Sequence, residues 1–227
     1  MLLRVPNALS PEVLAECRKL IADADWQDGK MTAGTQSGQV KNNRQLPEDS
    51  PAAVTARELI LAELAQNALF ISAVLPKRIF PPLFNRYDGD TNTFGNHVDN
   101  AVRTSRTTGE VVRTDVSVTV FLSDPEAYDG GELVVEDSFG VQRIKLPAGD
   151  MILYPSSSIH RVEPVTHGTR LASFFWVESM VRPDEQRRLL FDMDLAIVNL
   201  RQTEGDSPAV VKLTGCYHNL LRMWADT

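Results

Sequence analysis

Two histidines and an aspartate stand where they could share one metal ion. His97 and Asp99 are separated by a single residue in the triplet HVD. On extended backbone, alternate side chains leave the same face, so His97 and Asp99 would aim at one point while Val98 turns away. A neutral imidazole and a carboxylate together suit a divalent cation of intermediate hardness. Two ligands do not complete a site. The third candidate is His160, in YPSSSIHRVEPV, 61 positions beyond Asp99 and on a different β-run. Two histidines and one carboxylate that leave one octahedral face open form the donor set expected of non-heme Fe(II) oxygenases. That open face must accept both a chelating co-substrate and dioxygen.

An isolated HxD arises by chance, and a lone histidine is more often a core or surface residue. Arg170 adds weight. It lies ten positions after His160, across the short turn THGT. If the two flank a hairpin, both can face the same interior. A guanidinium keeps its charge and matches a carboxylate through two parallel hydrogen bonds. Buried without an anion it would be costly, so an inward Arg170 suggests a carboxylate ligand. The bland alternative is a solvated charge beside a turn. His167 reads as a solvated turn residue, and His218 as a packing or surface residue of the last helix.

The elements that must position these groups are legible in outline. Ser10-Pro11, Ser50-Pro51 and Ser207-Pro208 each place a hydroxyl at an N-cap and proline at the first helical position. After Ser10, residues Val13, Leu14, Cys17, Leu20 and Ile21 recur at helical spacing. After Ser50, residues Val54, Leu61, Leu64 and Ala65 do so less regularly. From about residue 68 the runs LFISAVL, FPPLFNRY, TFGNHVD, TDVSVTVFL, GELVVED, VQRIKL, DMILYPS, HRVEPV and RLASFFWVE read as strands. The turn chemistry of DGD, SDPEAYDGG, SFG, PAGD and HGT joins them. Many short strands argue for a sandwich or barrel over a doubly wound sheet. After Val181 a helical stripe carries Leu189, Leu190, Met193, Ile197 and Leu200. A second helix after Ser207 carries Val211, Tyr217, Leu220, Leu221 and Trp224. The expected class is mainly β with flanking α: a helical segment over 1–78, a β core over 79–180 and a C-terminal helical extension over 181–227. The C-terminal stripes could face the core or a second copy in a homo-oligomer.

Composition narrows the partners. The 227 residues carry a formal net charge of −7, with 43% hydrophobic and 23% charged residues. Such an acidic chain has no general field to attract nucleic acid or an anionic membrane. No stretch approaches the roughly 20 apolar residues of a membrane span, and the N-terminal apolar run, broken by Pro6 and Asn7, is too short for a signal peptide. Cys17 and Cys216 belong to no metal-ligand spacing and read as reduced core thiols. The expectation is a soluble, cytoplasmic protein.

The runs FNRYDGDTNTFGNHVDNAVR, RTDVSVTVFLSDPEAYDGGELVVED and LPAGDMILYPSSSIHRVEPVTHGTRLASFFWVES closely resemble PKHD-type hydroxylases, bacterial relatives of the prolyl 4-hydroxylase catalytic domain. The resemblance implies a double-stranded β-helix, or jelly roll, with N-terminal helices packed on it and a C-terminal helical pair. It implies Fe(II) at His97, Asp99 and His160, 2-oxoglutarate at Arg170, and L-ascorbate as auxiliary reductant. It also implies hydroxylation of a C–H bond with dioxygen, releasing succinate and CO2. Related halogenases lack the carboxylate at the position of Asp99, so its presence favours hydroxylation, with desaturation and ring closure still open. The group's association with bacterial iron uptake implies a small-molecule substrate such as a siderophore. A peptidyl prolyl residue is the alternative, and a non-catalytic iron or 2-oxoglutarate sensor is another.

Around the site several positions have two readings. The Tyr87 phenol, ten residues before His97, could reach a 2-oxoglutarate carboxylate or serve as a core tyrosine; Tyr154 has the same pair of readings. Phe174 and Trp176 share the strand parity of Arg170 and read more readily as core packing than as pocket wall. Lys41, Asn42, Asn43 and Arg44 fit either a pocket rim or a solvated loop. A zinc hydrolase could use the same three ligands. It is disfavoured because no general base neighbours the triplet and Arg170 would have no task. Specificity is expected from loops near 28–45 and 100–112.

Overall fold

The computed structural model describes residues 1–137 and 140–227, with backbone alone at Thr32 and Asp137. Ser138 and Phe139 of the expected SFG turn lie outside the described residues. The three Ser-Pro starts form as the capping chemistry dictates. Ser10, Ser50 and Ser207 accept hydrogen bonds from the backbone N–H of Val13, Ala53 and Val210, with proline in the first turn of each helix. These helices are α1 (Pro11–Ala22), α3 (Pro51–Leu64) and α6 (Pro208–Trp224). The others are α2 (Thr35–Val40), α4 (Ala68–Val74) and α5 (Asp184–Glu204).

Two antiparallel sheets carry the β core among the described residues. The larger has the order β1 (Leu3–Val5), β14 (Met151–Pro155), β10 (Val116–Phe121), β17 (Arg170–Ser179), β6 (Leu83–Tyr87), β4 (Arg44–Gln45) and β2 (Gln27–Asp28), with β5 (Pro76–Ile79) also on β17. The smaller has the order β13 (Gly140–Ile144), β12 (Leu133–Asp137), β15 (Ile159–Val162), β7 (Thr93–His97) and β3 (Lys41–Asn42). Two small ribbons pair β8 (Val102–Thr104) with β9 (Val111–Arg113) and β11 (Tyr128–Gly130) with β16 (Val165–Gly168).

Strand parity turns this topology into layers. In β10 Val118 and Val120, in β14 Met151 and Leu153, and in β17 Phe175 and Val177 pack outward under α1, α3 and α4, against Ile21, Ile60 and Phe70. The other parity faces the smaller sheet: Phe121, Ile152, Tyr154 and Tyr87 meet Leu133, Val135, Ile144 and Val162. Each such buried aliphatic or aromatic side chain contributes roughly 1.5–3 kcal/mol, so the register cannot slip by one residue without turning the core out. The inward face of the sandwich is where polar side chains also gather. The C-terminal pair closes over α4, with Leu75, Val181 and Leu190 beneath Tyr217, Leu221 and Trp224. Buried Arg187 donates to the carbonyls of Val181 and Arg182 and fixes the link into α5.

Several expectations need correction. LFISAVL is α4 and not a strand. Asn67 caps it at the Phe70 N–H, Leu75 ends it in the left-handed region at φ 46, and Phe70, Ala73 and Val74 are buried. A short apolar run buried on most sides shows no period that separates helix from strand. Cys17 is a core thiol, but Cys216 is exposed on α6. Leu189 is 51% exposed, and Phe191 is buried beside Leu190 and Ile197 instead. The segments near 28–45 and 100–112 are largely regular structure: α2, β3, β4 and the β8–β9 ribbon. KNNRQL crosses from the smaller sheet to the larger, with Lys41 opposite Phe94 and Gln45 opposite Asn85. The N-terminal strand β1, paired Leu3 to Leu153, is an addition that three residues of sequence did not signal. Among the described residues no helix is long and apolar enough to cross a membrane.

Candidate active site

The antiparallel register of β7 and β15 sets His97 directly opposite His160. Their ring centroids are 4.1 Å apart. Phe94 stacks flat on His97 at 3.6 Å, and Tyr154 meets the His160 ring edge-on at 5.1 Å. Each imidazole has its Nδ1 against a main-chain carbonyl, 2.8 Å from Gly95 O and 3.1 Å from Ser158 O. A neutral ring donating there carries its lone pair on Nε2, pointed at the space between the sheets. Burial and the neighbouring His160 lower the His97 pKa to about 4, keeping the ring in the neutral form that a metal requires.

Asp99 arrives differently from the expectation. β7 ends at His97, so Asp99 lies two residues past the strand. Val98 still turns outward, 45% exposed. The Ser117 hydroxyl donates to Asp99 Oδ2 at 2.6 Å and lies 2.8 Å from the Ser156 Oγ. Having one proton, Ser117 gives it to the carboxylate and accepts from Ser156. Asp99 Oδ2 is thereby held 3.7 Å from His160 Nε2. The ligand atoms of His97, Asp99 and His160 all lie within 4.8 Å of one another, the one such group among the described residues. The donor set fits a divalent metal with an open face.

Arg170 does not flank a hairpin with His160. Between them the chain forms β16, which pairs with β11, and Arg170 then opens β17 in the other sheet, opposite Tyr87. The two residues meet because the sheets face each other. Arg170 is 1% exposed, and its Nε and Nη1 lack hydrogen-bond partners. Its guanidinium lies 5.3 Å from the ring centroids of both Tyr87 and Phe121. A buried cation with unanswered N–H groups is costly by several kcal/mol, and a carboxylate entering the cavity would supply an acceptor for it. Burial raises the Tyr87 pKa against the pull of Arg170 and Asn43. Burial and the Asp99 charge raise Tyr154 well above its ordinary value. Both phenols therefore stay protonated as donors.

His97, Asp99, His160, Arg170, Tyr87 and Tyr154 all line one cavity. Phe174 and Trp176 line it too, against the reading that favoured plain packing. The rim question for KNNR resolves by alternation: Lys41 and Asn43 are buried and face the cavity, while Arg44 is exposed. Ser117, Thr119, Asn85 and Arg103 are further lining residues that the sequence reading did not single out. The signal was present for three of them. Ser117 and Thr119 alternate with valines in β10, and Asn85 shares the parity of Tyr87 in β6. Polar residues on a buried strand face mark a cavity. The amide oxygen Asn85 Oδ1 completes no hydrogen bond, which again fits a polar ligand.

A jelly roll whose two sheets enclose a His–Asp–His triplet and a buried arginine defines an Fe(II)- and 2-oxoglutarate-dependent oxygenase. Residues 82–178 match the 2OG-Fe(II) oxygenase superfamily model, and residues 184–226 match the PKHD-type hydroxylase C-terminal domain. A PKHD-type hydroxylase of Polaromonas sp. strain JS666 is 59% identical over 227 residues, 100% of both chains. The chain belongs to the PKHD-type hydroxylases, and it is a dioxygenase of that family. Solved structures show the fold more distantly. A Pseudomonas putida prolyl-4-hydroxylase has a TM-score of 0.52 at 18% identity, covering 78% of this chain and 92% of that one. HygX from Streptomyces hygroscopicus with nickel, 2-oxoglutarate and hygromycin B bound has a TM-score of 0.52 at 16% identity, covering 77% and 81%.

Proposed function

We propose that His97, Asp99 and His160 hold the Fe(II), that Arg170 holds the distal carboxylate of 2-oxoglutarate, and that Tyr87 and Tyr154 position the co-substrate. The enzyme then hydroxylates a C–H bond of a small molecule tied to iron acquisition, such as a siderophore or its breakdown product, with L-ascorbate as auxiliary reductant. The observation that carries the site is the buried Arg170 guanidinium, with two N–H groups unanswered in the cavity that holds the triplet. A zinc hydrolase would give that guanidinium nothing to do.

Iron and 2-oxoglutarate, when bound, supply dioxygen activation coupled to release of succinate and CO2. The chain's own residues do the rest. Ser117 and Ser156 hold Asp99 in place, and the Gly95 and Ser158 carbonyls fix both imidazole tautomers. Phe94, Tyr154 and Trp176 shelter the centre from water. Residues 79–180 carry the chemistry in this reading, residues 1–78 buttress the larger sheet, and residues 181–227 close over α4. The small-molecule assignment is supported by an acidic chain with a concave, partly apolar cavity. HygX, with hygromycin B bound, shows that this fold accommodates one. Peptidyl proline is the competing substrate, since the Pseudomonas putida neighbour is a prolyl-4-hydroxylase.

The test is anaerobic titration with Fe(II), then 2-oxoglutarate, followed by the visible charge-transfer band of a keto-acid chelate. Asp99→Ala should abolish turnover and weaken metal binding strongly. Arg170→Ala should keep the metal and lose about 2–5 kcal/mol of 2-oxoglutarate affinity. Wild-type co-substrate affinity in Arg170→Ala would show the carboxylate to be seated elsewhere. Succinate release stimulated by iron chelators and not by prolyl peptides is the expected substrate result; the reverse would install the protein hydroxylase.

A further inference from the structure

Two cations that this reading does not use line the same cavity. Lys41 is 4% exposed, with its Nζ 2.8 Å from Gln45 Oε1. The ammonium lies 5.2 Å from the Phe94 ring centroid and 6.0 Å from that of Phe174. Arg103 enters from the β8–β9 ribbon, its guanidinium 4.1 Å from the Trp176 centroid and 5.5 Å from that of Phe80. Phe174 and Trp176 meet edge-on at 5.6 Å, and Phe94 stacks on the metal-ligand candidate His97. Both cations therefore lie along one aromatic wall that ends at the metal position. Aromatic faces hold a positive charge without neutralising it.

The charges make this arrangement informative. Burial and repulsion from Arg103 lower the Lys41 pKa to about 7. Burial also lowers Arg103. The carboxylate that opposes the shift in both is Asp99. In the loaded enzyme a divalent metal takes up the charge of Asp99. Metal and Arg170 together then balance Asp99 and a dianionic co-substrate. Asp28 acts on Lys41 and Glu48 on Arg103 from the rim, but Glu48 is already engaged by the Ser105 and Thr107 hydroxyls. Lys41 and Arg103 thus bring two basic groups to the aromatic side of the cavity, with Asp28 and Glu48 beside them at the outer groove. Arg103 also borders the outer groove together with Asn100, so a ligand can reach it from solvent.

We infer that Lys41 and Arg103 bind a carboxylate of the substrate, so that the molecule hydroxylated is an organic acid laid along the Phe174–Trp176 wall. This rests on the assignment of the metal and co-substrate above, and it adds the chemical class of the substrate. The role is one of positioning: fixing the anionic end sets which C–H bond faces the metal.

The test uses protein loaded with Mn(II) and excess 2-oxoglutarate, probed by fluorine NMR with para-fluorobenzoate and its neutral counterpart para-fluorobenzamide. Mn(II) hastens relaxation of a fluorine held nearby, so the readout reports binding beside the metal without turnover. The benzoate should show saturable relaxation and bind at least about tenfold more tightly than the amide, a difference of ~1.4 kcal/mol. Lys41→Met and Arg103→Met should each remove most of that preference while keeping Mn(II) and 2-oxoglutarate. Equal affinity for the two probes, no binding of either, or an unchanged preference in both variants would overturn the inference. So would variants whose defect is a raised 2-oxoglutarate requirement, since they would then serve the co-substrate. If a variant fails to fold, the benzoate–benzamide comparison on the wild type decides alone. A wild type that takes up no Mn(II) or no 2-oxoglutarate would instead sink the underlying reading, before any probe is added.

Discussion

A single hydroxyl decides where Asp99 points. The carboxylate lies past the end of β7, where no ladder hydrogen bond holds it. Ser117 reaches it from the opposite sheet at 2.6 Å, backed by Ser156. Partners of this kind tune metal affinity by about 10–100-fold. Ser117→Ala should weaken Fe(II) or Mn(II) binding by that factor, with little change in melting temperature, and Ser117→Thr should restore it. Equal metal affinity in wild type and Ser117→Ala, measured by titration, would mean that Asp99 needs no support. The two candidate imidazoles are secured more locally, each by a carbonyl two residues before it in its own chain.

Among the elements, the short β11–β16 ribbon does more than its length suggests. It ends at Gly168, two residues before Arg170, with φ 73 and paired to Tyr128. A Cβ there would sit 2.1 Å from the Ala127 carbonyl oxygen. Any other residue must therefore adopt a strained backbone and push the ribbon apart. The strain alone is about 1–2 kcal/mol, and backbone displacement adds to it. Gly168→Ala should lower stability by roughly 2–4 kcal/mol. It should also raise the 2-oxoglutarate requirement, because the entry of β17 carries Arg170. Unchanged denaturation and co-substrate titrations would show that the ribbon gives way freely.

The whole molecule is a sandwich held open around a polar cavity, and its stability should record that in its pH dependence. In metal-free protein the unfolded His97 takes a proton near the ordinary imidazole value of 6.5, whereas the buried ring does so only near about 4. Between those values the unfolded chain binds more protons than the fold. Stability is then present above the unfolded pKa and is lost as pH falls toward about 4, by up to ~3 kcal/mol. Lys41 acts in a different window. Unfolded it keeps its proton up to 10.5, and buried it releases it near about 7, so the fold gains stability as pH rises through that interval. Denaturant midpoints of metal-free wild type should drop between about pH 7 and pH 5, and His97→Gln should flatten the drop. A profile just as steep in the variant would assign the effect to other groups.

What the sequence by itself determined is whatever depends on neighbours in the chain. The Ser-Pro caps are local hydrogen bonds, so α1, α3 and α6 start where their serines stand. The alternation within DMILYPS and TDVSVTVFL is a local pattern, and it sorted helix-facing from cavity-facing side chains. Residue types at 97, 99, 160 and 170 named the chemistry, because few other reactions use that set. The tertiary structure decided the rest, for reasons of distance. LFISAVL became a helix through burial that its own sequence cannot express. His160 and Arg170, ten positions apart, meet across two sheets and not across a turn, because β16 pairs with β11 and sends the chain to the opposite layer. Ser117 reaches Asp99, and Lys41 and Arg103 come to share one wall, only through the packing of segments far apart in the chain. No local pattern records such meetings, since they depend on which strands pair and on where the chain crosses between sheets.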